Sequence, residues 1–428
     1  MADLSTLEKR STPISYEEIL SRIEANTPRS LFESRRVLAI TPDSTRSAPL
    51  PALVRAVNEV IGPHARQLDY MVALGTHAIM SEEAIANLYG VSTAEKASLF
   101  PRSRFLNHRW DIPGTLERIG SFNERQIAQA TDGRFSEAVD VTINRAIFDY
   151  DLILIIGPVF PHEIVGFSGG NKYLFPGISG GEFLDFFHWL SAVITCMKTI
   201  GHKNTPARRV IDAAADLVPT PCHLVALVVQ PGQDPPELSG LYVGDPQEAW
   251  SKAADHSSQI HITHTARRYH TVLGHAPTMY DELWVGGKVM YKLESVVEDG
   301  GRLIIYGPQI NKLSSTWGHY LEQVGYHVVD YLIAERHRFP DVPRGVLAHA
   351  ALVRGMGEYR EGVERPRIRV DLATSLSPAL CTRIGLGYTD PENVNLSDFR
   401  DRENEGILYV PHAGEVLHLP ASNDQSLA

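Results

Sequence analysis

Five consecutive branched apolar residues, Leu152-Ile153-Leu154-Ile155-Ile156, stand between Asp151 and Gly157. A run this short and this uniformly apolar has no polar face to give to water, so as a strand it must be covered on both sides. Strands of that kind belong to parallel sheets sandwiched by helices. Residues 37–40, 70–74 and 224–229 are further short apolar runs, and helical segments separate them. The helical segments are 50–61, with Pro49 and Pro51 around its first turn, a stretch from about Ser81 that ends at Gly90, and 182–199. Asp245-Pro246-Gln247-Glu248 opens another in capping-box fashion. From about residue 280 the alternation restarts, with a strand over 282–285, a helix up to Val297 and a strand over 303–306. The pattern predicts an α/β chain of two domains with mainly parallel sheets flanked by helices. The first domain is expected over 1–270 and the second over 275–406, with 407–428 returning to the first.

Size and charge narrow the function. A chain of 428 residues is too long for one compact core, and its 43 % hydrophobic and 21 % charged content is ordinary for a globular protein. A formal charge of −11 argues against nucleic acid or an anionic membrane as main partner, while leaving room for a small anionic substrate gripped by local cations. Cys196, Cys222 and Cys381 form no Cys-x-x-Cys pair, which suits a reducing compartment. The first ten residues lack the apolar core of a signal peptide, and the 152–156 run is far short of the roughly 20 residues that span a bilayer. A cytoplasmic protein is expected, with no membrane partner.

Ligands of open α/β sheets bind outside the carboxyl ends of the strands. Polar segments follow four of the expected strands: Asp43-Ser44-Thr45-Arg46, Gly75-Thr76-His77, Gly157 to His162, and Gly286-Gly287-Lys288. The third leads into Pro161-His162-Glu163-Ile164-Val165-Gly166-Phe167-Ser168-Gly169-Gly170-Asn171-Lys172, then Pro176-Gly177 and, in a helix, His188. Glycines at that density let backbone N–H groups approach an anion. His162 and His188 offer proton transfer or metal ligation, and Lys172 offers an amine. Parallel strands would bring these segments to one cleft between the domains. Each piece also has a plainer reading: Asp43 to Arg46 as a helix cap, His77 and His188 as structural histidines, Lys172 and Lys288 as surface charges. The pair His261 and His264 lacks a third metal ligand nearby and reads as surface, and Trp317 and His349 are further candidates in the second domain.

Taken together, Asp43-Ser-Thr-Arg46, Gly75-Thr76-His77, the block from His162 through Lys172 to His188, and Lys288 ahead of Gly300-Gly301 resemble the nickel-dependent lactate racemases, the LarA-like 2-hydroxyacid racemases and epimerases. The resemblance implies a nickel-pincer nucleotide as cofactor, a pyridinium mononucleotide whose thio-groups and ring carbon hold nickel. It implies Lys172 as the lysine that can tether it, His188 as nickel ligand, and His77 and His162 as paired acid/base histidines. Arg46 and Lys288 match cations near the substrate carboxylate, with Trp284 as a further substrate contact. Asp43, Thr45, Ser168, Gly169 and Gly170 lie where the nucleotide is held. The implied reaction is inversion of C2 in a small 2-hydroxyacid through a 2-keto acid, in a protein served by cofactor-building enzymes and compatible with a homo-oligomer. The pattern departs at Trp284-Val285, where the best-known members carry an aromatic residue followed by glutamine. That departure leaves the acid open between lactate and longer aliphatic, aryl or sugar-derived acids. The alternatives are a non-catalytic nickel or nucleotide binder and a nicotinamide-dependent dehydrogenase; no Gly-x-Gly-x-x-Gly turn follows the first strand to favour the latter.

Overall fold

The computed structural model describes residues 13–233 and 235–421. The chain forms two compact units. The first takes in the chain up to Phe160, Phe167–Leu184 and Arg208–Gln259; the second takes in Pro161–Gly166, Asp185–Ala207 and the chain from Ile260.

The first unit is built on a six-stranded sheet in the order Leu238–Gly244, Cys222–Val229, Leu152–Pro158, Arg36–Thr41, Gln67–Val72, Phe105–Asn107. All neighbours are parallel except the Leu238–Gly244 edge. Every residue of Leu152–Pro158 is buried, as its all-apolar run requires. Helix Leu50–Ile61 buries Leu50, Leu53, Val54, Val57 and Ile61, a three- and four-residue spacing that lays one stripe on the sheet. Ile19 and Ile23 of helix Tyr16–Asn26 join the same core. Arg36–Thr41 is followed in sequence by Gln67–Val72 on one side, while Leu152–Pro158 pairs on its other side. The strand order reverses between these two neighbours, and that reversal is the place where open α/β sheets leave a crevice at the strand ends.

The second unit carries a five-stranded, wholly parallel sheet in the order Gly387–Tyr388, Arg369–Thr374, Val297–Gly307, Tyr269–His275, Ile407–Val410. Several sequence expectations need correction here. Residues 407–410 pair with Thr271–Gly274 of the second sheet rather than returning to the first unit. Residues 269–275, which straddle the expected boundary between the domains, are a central strand of that sheet, and the second unit takes in the chain from Ile260. The strand expected over 282–285 is a short helix, Leu283–Gly286; a four-residue apolar run cannot by itself distinguish the two periods. Gly286-Gly287-Lys288 therefore follows a helical turn, not a strand. The helix carrying His188 spans Gly181–Ile194 and stops there because Thr195 leaves the helical region at φ 80. The unit boundary at Leu184/Asp185 falls inside that helix, so His162 and His188 belong to the second unit and not to the first domain as expected. Among the described residues no helix is long and apolar enough to cross a membrane.

Gly157, near the end of strand Leu152–Pro158, has no room for a side chain, because a Cβ there would overlap the ring of half-buried Tyr173. Gly157→Ala is expected to destabilise the protein by about 1–3 kcal/mol through overpacking, read as a lower urea midpoint with an unchanged slope.

Candidate functional site

The first strand ends at Thr41, and the chain then turns through Asp43. Asp43 is buried, and both its carboxylate oxygens are engaged. Oδ1 accepts the Thr45 N–H (3.1 Å) and the Thr45 hydroxyl (2.6 Å), and Oδ2 lies 2.6 Å from His77 Nδ1. Burial alone would raise this carboxyl, but hydrogen bonds and charge from His77, together with Thr45 and Arg46, outweigh it and hold it at about 2. An ionised carboxylate can only accept, so Nδ1 of His77 carries a proton and Nε2 is the nitrogen turned to other partners. The His77 side chain is 54 % exposed, so solvent can reach it. Arg46 is half-buried, with its guanidinium 5.7 Å from the Phe160 ring centre just past the end of the central strand. Asp43, Thr45, Arg46 and His77 are thus brought together at the strand-order reversal. Asp43 and Thr45, expected near a nucleotide, bond to each other and, through Asp43, to His77.

The glycine loop is organised from below. Ser168 Oγ donates to the Pro158 carbonyl and accepts the Phe160 N–H, so this hydroxyl closes the loop. Gly169 and Gly170 both have positive φ, at 77° and 59°, and a Cβ on Gly170 would press the Trp250 ring. Among the described residues their N–H groups donate to no protein acceptor. Arg208, buried beneath, donates to the carbonyls of Phe167 and Gly169, lies 4.1 Å from the Trp250 ring centre, and is lowered to about 10 by burial. Trp250 Nε1 donates to the Ser168 carbonyl (2.8 Å). Lys172 stands half-buried in the short turn Gly170–Tyr173, and Phe175-Pro176 beyond it is a cis peptide. The Gly177 carbonyl accepts the Gly75 N–H (2.8 Å), which ties the His77 loop to this one.

In the second unit, His162 is buried, and its Nδ1 accepts the Ile164 N–H (3.1 Å) with the Glu163 carboxylate 3.4 Å away. A neutral ring protonated at Nε2 satisfies the backbone donor, whereas a proton on Nδ1 faces Glu163 instead. Buried Lys292 donates to the carbonyl of Pro161, immediately before this histidine. His188 is half-buried one turn after Asp185, whose carboxylate accepts the Gly345 N–H (3.1 Å) and is raised by burial. Lys288 begins a short helix, its ammonium 5.1 Å from the Tyr280 ring centre. Trp284 stacks on His349 at 4.2 Å; that imidazole is held by the Tyr291 hydroxyl (3.0 Å) and lowered to about 3 by burial, so it is a neutral packing partner. Trp317 stacks on Tyr320. His261, expected on the surface, is buried.

Residues 8–199 match the family described as the lactate racemase N-terminal domain. A curated lactate racemase from Lactiplantibacillus plantarum is 27 % identical over 162 residues, which is 35 % of this chain and 33 % of that protein. The match thus spans about a third of that relative's length. A crystal structure of a protein from Thermotoga maritima superposes with a TM-score of 0.85 at 29 % identity, over 96 % of this chain and 99 % of that one. Somewhat under half of the chain is thus similar to the lactate racemase N-terminal domain. The lactate racemase apoprotein from Thermoanaerobacterium thermosaccharolyticum shares the fold, with a TM-score of 0.71 at 18 % identity over 95 % of this chain and 93 % of that one.

The similarity to lactate racemases raises the question of whether the residues suit a nickel-bearing nucleotide. Among the described residues no three His, Cys, Asp or Glu side chains converge as a metal site, so the protein alone offers no complete ligand set and a nickel there would need donors from a cofactor. The Gly169 and Gly170 N–H groups and the Lys172 amine offer an anion cradle in the first unit. Arg208, Trp250 and Trp110 (whose Nε1 donates to the His77 carbonyl) escape a sequence reading, because nothing local marks a buried arginine in an amphipathic helix or an indole at a loop.

The Asp43 carboxyl lies below its ordinary value of about 3.9. Its contribution to stability is therefore complete above pH about 4 and lost as pH falls towards 2. Asp43→Asn is expected to be less stable than the parent at pH 7 by on the order of 2 kcal/mol, with the gap closing between pH 4 and 2. Urea titrations at a series of pH values check this; a gap independent of pH over that range contradicts it.

Proposed function

We propose that this chain inverts C2 of a small, lactate-like 2-hydroxyacid with the help of a nickel-pincer nucleotide. The observation that carries the reading is His77 fixed through Nδ1 by the ionised Asp43 at the strand-order reversal, in a chain similar to the lactate racemase N-terminal domain whose sequence also carries His162, Lys172 and His188.

The substrate's chemistry explains the inventory. The C2 hydrogen of a 2-hydroxyacid is barely acidic, since removing it as a proton beside a carboxylate builds a dianion. The nucleotide, when bound, supplies a hydride acceptor that avoids the dianion and leaves a 2-keto acid. What the protein must add is removal of the hydroxyl proton, grip on the carboxylate and exclusion of side reactions. His77 takes the hydroxyl proton at Nε2, and the Asp43 carboxylate against Nδ1 stabilises the imidazolium that forms. His162 does the same for the opposite enantiomer in the form whose Nδ1 proton faces the Glu163 carboxylate, which leaves Nε2 open to accept. Arg46 and Lys288 hold the substrate carboxylate, and Trp284 borders its side chain. Gly169, Gly170 and Lys172 hold the nucleotide, and His188 ligates the metal. The reading requires cofactor-building enzymes as partners in the cell.

Protein purified from a host that makes the cofactor is expected to interconvert D- and L-2-hydroxyacids without added NAD, followed by chiral chromatography over an aliphatic and aryl panel. His77→Ala and His162→Ala should each lose at least about 10²-fold in rate, and Lys172→Ala should lose retained cofactor by intact mass. Failure of verified nickel-loaded protein to racemise any acid of the panel contradicts the reading.

A further inference from the structure

The loop that carries His77 has neither helix nor strand of its own between Val72 and Ser81. Its shape therefore rests on individual bonds. The Gly75 N–H donates to Gly177, the His77 N–H to Leu74 (2.9 Å), and the imidazole to Asp43. The Ala73 N–H donates to Thr41 (2.9 Å), and further bonds come from one short arm, residues 107–111, at the end of strand Phe105–Asn107. Asn107 exchanges two hydrogen bonds with Met80, donating to its carbonyl (2.8 Å) and accepting its N–H (3.2 Å). Trp110 Nε1 donates to the carbonyl of His77 itself at 2.9 Å.

This arm is rigid for reasons independent of His77. His108 is fully buried, accepting the Asn144 amide at Nδ1 (3.0 Å) and donating from Nε2 to the Ser179 carbonyl (3.0 Å). Burial lowers it to about 4, so it stays neutral and keeps both bonds at ordinary pH. The Trp110 N–H folds back on the His108 carbonyl (3.0 Å), and Arg109 forks onto Asp111 with two bonds of 2.8 Å. Trp110 itself is 36 % exposed. An indole left that open fills little core, so its pinning bond is the larger part of what it does.

We propose that Trp110 is a positioning residue for His77. Its indole N–H fixes the peptide that carries the imidazole, while Asp43 fixes the ring. The two restraints together set where Nε2 points, and an acid/base group displaced by about 1 Å loses much of its rate. The functional consequence rests on the proposed racemase reading; the positioning itself does not.

The test is therefore made at two levels. Trp110→Phe keeps a ring and deletes the donor, and site-specific benzothienylalanine at 110 keeps the bicyclic shape with sulfur in place of N–H, should the first variant fold poorly. In histidine-selective 15N spectra of the full chain, the parent is expected to show His77 as a single form protonated at Nδ1. Both variants should broaden or average its two nitrogen signals and raise amide exchange across 76–80 by about 3- to 10-fold. His108 signals should stay unchanged. In the cofactor-loaded enzyme, kcat should fall several-fold with KM nearly constant. Unchanged His77 signals and unchanged exchange at 76–80 overturn the proposal whatever the enzyme does. Altered signals in a protein that racemises nothing uphold the positioning and count against the racemase reading alone.

Discussion

Parallel pairing of Val37 with Leu152 and of Ile40 with Ile155 decides where two strands of the first unit end, and the candidate chemistry is built on those ends. Both strands are buried along almost their whole length, so their side chains cannot trade faces without moving apolar surface into water. A shift by a single residue would expose the run that burial on two faces stabilises. Once the register is set, Pro42-Asp43 and Val159-Phe160 must leave the sheet side by side. Arg46 over the Phe160 ring and Ser168 closed onto Pro158 follow from that adjacency.

Buried carboxylates do the joining. Asp69 and Asp371 have no exposure at all, one in each unit. Asp69 accepts the Arg104 N–H (2.7 Å), its Nε (3.0 Å) and Nη2 (2.8 Å), and the Tyr150 hydroxyl (2.6 Å), which fastens the sheet edge to its neighbours. Asp371 is held between Arg302 and Arg369. A carboxylate taken out of water is tolerated when its lone pairs are filled in this way. Asp43 follows the same rule with one difference: a partner of this carboxylate is an imidazole open to solvent. Electrostatic energy that elsewhere only secures the fold is here directed at a group that can exchange protons with a ligand.

The first unit was largely legible from residues alone. Buried strands announce themselves by uniform apolar runs, and the helix over 50–61 by its stripe and its prolines. Turn residues after strands pointed to Asp43, Arg46 and His77, which the structure does bring together. What stayed hidden is long-range. Nothing in Ile407–Val410 says that its partner is Tyr269–His275, well over a hundred residues away, and Leu283–Gly286 is too short for its period to be read. The roles of Arg208 and Trp250 under the glycine loop depend on side chains meeting a backbone carbonyl far along the chain. Asp43 was legible as a polar residue after a strand, but its bond to His77 was not, because that requires knowing that the two strand ends are neighbours.

The most direct measurement is isotopic. A 2-hydroxyacid with ordinary hydrogen at C2 is racemised by the cofactor-loaded protein in D2O, and the product of inverted configuration is analysed by NMR and mass spectrometry. If the histidines handle only the hydroxyl proton, as Asp43-anchored His77 is proposed to do, the inverted product retains its original hydrogen at C2. Deuterium at C2 in proportion to inversion would mean that a side chain removes the C2 hydrogen as a proton, and would contradict the roles assigned to His77 and His162.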